Sequence, residues 1–166
     1  MRLFGQRRGI YATHHAMSPP GAYRYWRLFF TDYNDTVQHK YISISEINFR
    51  TTLGVNNPMV GAKTASSFFT DTQAYVANNA ADNDPNTVWI TNAGQQVNSW
   101  WQITFDVAQE VKQVMLQAFP NAFGAGQMMK SGYLQRSTNG NTWVDVLPIL
   151  NQTNWAPSEI RTFDVL

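Results

Sequence analysis

An all-β fold is predicted by three features: apolar/polar alternation in several segments, turn residues spaced between them, and no stretch with convincing helical periodicity. Trp101, Ile103, Phe105 and Val107 alternate with Gln102, Thr104 and Asp106, the period of a half-buried strand. In Ser137-Thr138-Asn139-Gly140-Asn141-Thr142 the Asn-Gly pair supplies the positive φ angles that a tight hairpin demands. Strung together, about eight short strands with Gly, Pro and Asn turns make an antiparallel β-sandwich, or jelly roll.

The elements follow in order. Residues 1–22 show neither periodicity and end in Ser18-Pro19-Pro20-Gly21, which stops regular structure; they are an extended arm. The domain runs from 23 to 166 and begins with the bulky strand Tyr25-Trp26-Arg27-Leu28-Phe29-Phe30, closed by Asp32-Tyr33-Asn34-Asp35. Val114, Leu116 and Ala118 repeat the alternation, with Gln113 and Gln117 expected to face away. Strands are also expected at Trp143–Leu147 and Ile160–Val165, with Trp26, Trp89 and Trp143 in the core. Ala74–Ala81 is alanine-rich, but Asn78-Asn79 interrupts it.

Composition narrows the function. The 166 residues include no cysteine, which excludes a disulfide scaffold, thiol catalysis and cysteine-ligated metals. No apolar run is long enough to span a bilayer, and no secretory signal follows the basic start. Charged residues make up only 14%, so Asn, Gln, Ser and Thr must cover much of the surface, as suits a virion or extracellular surface. The twelve basic and eleven acidic residues are unevenly placed. Arg2, Arg7, Arg8, Arg24 and Arg27 precede the first acid, Asp32, so residues 1–27 carry +5 and residues 28–166 carry −4. A basic arm joined to an acidic body suits anchoring to a neighbouring protein through Arg2, Arg7 and Arg8. Nucleic acid is a poorer fit, since the body would repel phosphate.

One strand breaks its own pattern. In Tyr41–Phe49 the apolar phase runs Ile42, Ile44 and then Ile47, Phe49, slipping by one residue at Ser45-Glu46. A β-bulge produces such a slip and re-aims a side chain. An inward Glu46 is costly unless it is paired or bound to a cation. Asp82, Asp84 and Thr87, within Asn79–Trp89, offer oxygens in a tight loop, as a hard cation requires. The same residues also make a plain Asx-turn loop.

Several separated pieces resemble the discoidin family, also called the coagulation factor 5/8 C-type or galactose-binding-like domain. They are Asn79-Ala80-Ala81-Asp82-Asn83-Asp84-Pro85-Asn86-Thr87-Val88-Trp89, the strand Trp100-Trp101-Gln102-Ile103-Thr104-Phe105-Asp106, and the hairpin from Tyr133 to Trp143. Tyr25-Trp26-Arg27-Leu28 and Ile44-Ser45-Glu46-Ile47 are similar to the pair of segments that usually closes such a domain. Here they open it, which implies a circularly permuted arrangement. The resemblance implies a structural Ca²⁺ held by Glu46, Asp82, Asp84 and Thr87, with carbonyls near Asn79 and Ser45. It also implies binding at loops on one end of the sandwich, where Trp100, Phe119, Phe123 and Gln127 are the candidates.

Catalysis has little support. His14, His15 and His39 form no recognisable triad, and a glycosidase pair such as Asp145 and Glu159 is only a formal option. A lone discoidin-like domain with a basic arm is similar to small phage virion proteins of the capsid, collar, tail or fibre. From Met1 and the short length the expectation is a complete gene product. The expected function is a non-enzymatic, multi-copy virion structural or decoration protein. The alternative is a stand-alone carbohydrate-binding adhesion module that recognises host-surface glycan.

Overall fold

Alternation along Tyr23–Tyr33 decides the first strand, β1: Trp26, Leu28 and Phe30 are fully buried, while Tyr25, Arg27 and Phe29 face the other way and are only partly covered. The computed structural model describes residues 21–34, 40–71 and 73–165, and the anchoring arginines Arg2, Arg7 and Arg8 lie outside them, as do His14, His15 and His39. Nine further strands follow: β2 Ser43–Ile44, β3 Glu46–Arg50, β4 Gly61–Ala65, β5 Trp89–Ile90, β6 Trp100–Gln109, β7 Gln113–Gln117, β8 Met129–Ser137, β9 Val144–Ile149 and β10 Ile160–Asp164. They pair antiparallel as a five-stranded sheet β4-β6-β1-β8-β9, a three-stranded sheet β10-β7-β3, and the short pair β2-β5. The layout is the all-β sandwich that the alternation predicts, with ten strands where about eight are expected because two of them are only two residues long.

The core lies where the sheets face one another. Trp26, Trp89 and Trp101 are fully buried, and each indole N–H is satisfied by a carbonyl: Tyr23 and Gln109 for Trp26, Ser67 for Trp89, Ala77 for Trp101. Anchoring the polar edge this way lets a large ring be buried without an orphan donor. Phe49 meets Trp101 edge-on and Phe30 stacks on Trp89.

Several expectations are corrected. Trp143 is not core: it is half-buried, with the Arg27 guanidinium 4.2 Å from its ring centroid. Val107 continues the alternation of β6 in sequence but is 71% exposed; it falls where β6 loses register with β1, between the pairs Tyr25–Thr104 and Tyr23–Gln109. Gln113 is buried rather than turned outward. As the central strand of its sheet, β7 is covered on both sides, and Gln113 accepts from Arg50 and the Gly54 N–H and donates to Asp164. Helical structure is present in short pieces. Three 3-10 turns (Phe69–Asp71, Gln73–Tyr75, Ala77–Ala81) precede β5, and a five-residue helix α1, Ala122–Gly126, follows β7. Asn121 caps α1, its side chain accepting from the Gly124 N–H. No described helix is long and apolar enough to cross a membrane.

Candidate functional site

The phase slip at Ser45-Glu46 has a structural cause different from a bulge. β2 pairs with β5 and β3 pairs with β7, so the chain changes sheets at Ser45. Ser43–Arg50 is buried throughout, and the crossing turns Glu46 toward the loop 79–89. Ser45 ties the two together, its hydroxyl donating to the Pro85 carbonyl at 2.7 Å.

Glu46 is only 6% exposed, and its Oε1 is buried without a hydrogen-bond partner. Burial, with the neighbouring Asp82 carboxylate second, pushes the Glu46 carboxyl up to about 7 from the ordinary 4.5; the Asp84 main-chain N–H, which donates to it, pulls the other way. Asp82 accepts from the Asp84 N–H and the Thr87 hydroxyl. Thr87 Oγ1 also lies 3.1 Å from the Asn79 carbonyl and 3.0 Å from that of Asp84. The Asp84 carboxylate is turned to its own loop, accepting from the Asn86 main-chain N–H and side-chain amide. Glu46 and Asp82 are thus the facing acids, with hydroxyl and main-chain oxygens of Thr87, Asn79 and Asp84 beside them. Among the described residues no group of three or more His, Cys, Asp and Glu side chains is disposed to hold a metal. What fits a cation here is a hard, all-oxygen donor set and one orphaned buried carboxylate oxygen.

A model of the F5/8 type C domain matches residues 62–165, well over half of the chain. The chain belongs to the F5/8 type C, or discoidin, family. No curated protein and no solved structure is a match. Discoidin domains are generally non-catalytic modules that bind carbohydrate or protein. Of the two formal glycosidase carboxylates, Asp145 accepts from Gln135, and Glu159 is held below its usual range by the Arg161 guanidinium and the Ala156 N–H.

The expected ligand residues of this discoidin domain fall in two places. Trp100 stands on β6 opposite Phe29, on the outer side of the five-stranded sheet, with Trp101 inward. Phe119, Phe123 and Gln127 belong to the β7–β8 connection around α1. Phe123 is 59% exposed, Phe119 is half-buried against Gly124, and Gln127 is buried, its carbonyl accepting from the Ser43 N–H. Beside α1 opens a cleft of about 140 Å³ lined by Asn34, Ala125, Asn154, Trp155 and Pro157 among others. Trp155 was not flagged by the sequence, because nothing local separates it from a loop tryptophan. It is 8% exposed, Arg161 stacks on its ring at 4.1 Å, and its Nε1–H is buried without an acceptor. Arg161 also donates to the carbonyls of Thr153 and Asn154 and to Gln152, fixing the loop. Asn151, Asn154 and Ser158 all hold positive φ there, a cluster of strained backbone in one short segment.

Proposed function

We propose that this discoidin domain is a non-catalytic virion structural or decoration protein of a bacteriophage, present in many copies. Residues 1–22 anchor it to other virion proteins, and its loop end contacts protein or host-surface glycan. The observation that carries the ligand-binding part is the cleft beside α1, lined by Asn34, Asn154 and Trp155, with the exposed Phe123 on the same helix. A concave site with asparagines and a tryptophan in its wall suits a ligand that brings hydroxyl groups. The charge-poor composition and the +5 arm support the particle setting. A stand-alone carbohydrate-binding adhesion module on an extracellular surface rests on the same cleft without the arm.

Calcium belongs to this proposal as a structural ion. Glu46 and Asp82 would hold it, with oxygens of Thr87, Asp84, Asn79 and Ser45 as further candidates, and it would supply the positive charge that the Glu46 carboxylate lacks. The proposal also keeps the circular permutation. It is supported by the central strand β1, which pairs with both β6 and β8 yet lies before the matched segment.

The test is particle incorporation and glycan-array binding of the full chain and its variants. Loss of incorporation on deletion of residues 1–20 sustains the virion role. Array binding that Phe123→Ala or Trp155→Phe abolishes, with incorporation unaffected by the deletion, favours the adhesion module. Wild-type incorporation by the deleted chain together with empty arrays would overturn both.

A further inference from the structure

The outer face of the five-stranded sheet carries an ordered surface that the loop end does not explain. Cross-strand register places Trp100 of β6, Phe29 of β1 and Tyr133 of β8 side by side, with Pro148 of β9 ending the row. Two residues along β1 comes a second row: Gln102, Arg27, Gln135 and Asp145. Their neighbours Trp101, Leu28 and Leu134 are fully buried, so strand alternation turns both rows outward. The three rings are half-buried rather than covered. Adjacent strands lie about 4.8 Å apart, so the rings extend over about 10 Å.

Aromatic pairs across strands stabilise a sheet by themselves. That accounts for neighbouring rings but not for the polar row of amides laid parallel to them. The charge pattern narrows the partner. Arg27 Nε donates to Gln135 Oε1 at 2.6 Å, and Gln135 Nε2 donates to Asp145 Oδ1 at 2.6 Å. One cation and one anion are thus matched through an amide, and the two rows carry no net charge. Arg27 is further packed between Phe29 at 5.2 Å and Trp143 at 4.2 Å, which removes it as a free anion receptor. The surface offers flat apolar rings, the half-buried Gln102 amide and charge neutrality; Gln135 is buried, with its oxygen and nitrogen both taken. An anionic nucleic acid or lipid finds no unmatched cation here, whereas an uncharged chain with C–H faces and hydroxyl edges finds a partner for each.

We propose that this sheet face binds an extended, uncharged polysaccharide, its sugar rings stacking on Trp100, Phe29 and Tyr133 and its hydroxyls bonding to Gln102. The inference rests on the reading of the chain as a binding module, but uses a surface separate from the Trp155 cleft.

The test is depletion of the full chain from solution by cellulose, chitin, mannan and starch. At least one polymer should remove it, and Trp100→Ala or Phe29→Ala should each weaken that binding about tenfold, equivalent to about 1.4 kcal/mol. Gln102→Glu, which keeps the volume but places a charge in the amide row, should weaken it too, guarding against a variant that simply misfolds. Phe123→Ala and Trp155→Phe should leave it unchanged. Failure of all four polymers would overturn the inference. Loss that follows Phe123→Ala or Trp155→Phe instead would move binding to the loop end, sinking the sheet-face site while leaving the binding module intact. A concentration-dependent dimer that the sheet-face variants dissolve, with no polymer bound, would make the face a contact between copies and equally overturn it.

Discussion

Two loops of this molecule are built on Asn and Thr and both end on a tryptophan: residues 79–89 and residues 137–143. The hairpin answers its own needs. Ser137 Oγ accepts from the N–H groups of Asn139 and Gly140, and Asn139 Oδ1 accepts from those of Asn141 and Thr142. It carries no ionisable side chain. The other loop closes a similar ring of Asx and hydroxyl bonds, but it packs on a buried glutamate whose oxygen stays unmatched. Turn composition therefore does not separate the two loops. The buried acid arriving from a different strand does, and it is the reason for proposing a cation at only one of them.

The largest expected effect separates the loops by that acid. Glu46→Gln should stabilise the calcium-free protein near neutral pH by about 1–3 kcal/mol, because the neutral amide leaves no charge to bury beside Asp82. It should also erase the calcium response that the proposed ion would give the wild type, about 2.7 kcal/mol at a hundred times Kd. Thermal denaturation in chelator and in calcium reads both, and a Glu46→Gln protein that still responds to calcium would break the comparison. Next is Thr87→Val, which removes the hydroxyl shared among Asp82, Asn79 and Asp84. It should cost about 1–2 kcal/mol in denaturant titrations, with a weakened calcium response. The hairpin's counterpart is Gly140→Ala. Gly140 has φ +77°, and an added Cβ would meet the Tyr25 ring at 3.1 Å. Its cost should be about 1–2 kcal/mol, the same in chelator as in calcium. Ser137→Ala is the smallest, about 1 kcal/mol, again blind to calcium; a calcium-sensitive cost at either hairpin position would erase the distinction.

Much of the fold was legible because strand alternation is local. Trp101, Ile103 and Phe105 are buried as their spacing requires, and the expected β8–β9 hairpin is present, although it is a connection of six residues, 138–143, in which Gly140 but not Asn139 takes positive φ. What failed depended on where strands slip in register or stop. Val107 lies where β6 and β1 fall out of register, and Trp143 sits just before β9 with an arginine on its ring. The slip at Ser45-Glu46 was visible, but its cause, a change of partner from β5 to β7, joins residues about 45 and 70 positions apart. Register explains the other omission. Trp100, Phe29 and Tyr133 become one row only once three strands are aligned. The helix α1 did leave a local trace, its Asn121 cap, too short a signal beside a five-residue helix.

The most direct test of the Glu46 account is the melting temperature from about pH 4 to pH 8, measured once in chelator and once in excess calcium. The Glu46 carboxyl is raised to about 7 from the ordinary 4.5, so the folded state keeps a proton that the unfolded chain releases. That contribution is fully present below about pH 4.5 and is lost as pH rises through about 7. In chelator the melting temperature should therefore carry a falling component across this window. In calcium the component should vanish or reverse, because the ion binds the deprotonated carboxylate. Curves that superimpose over the whole range would contradict the account.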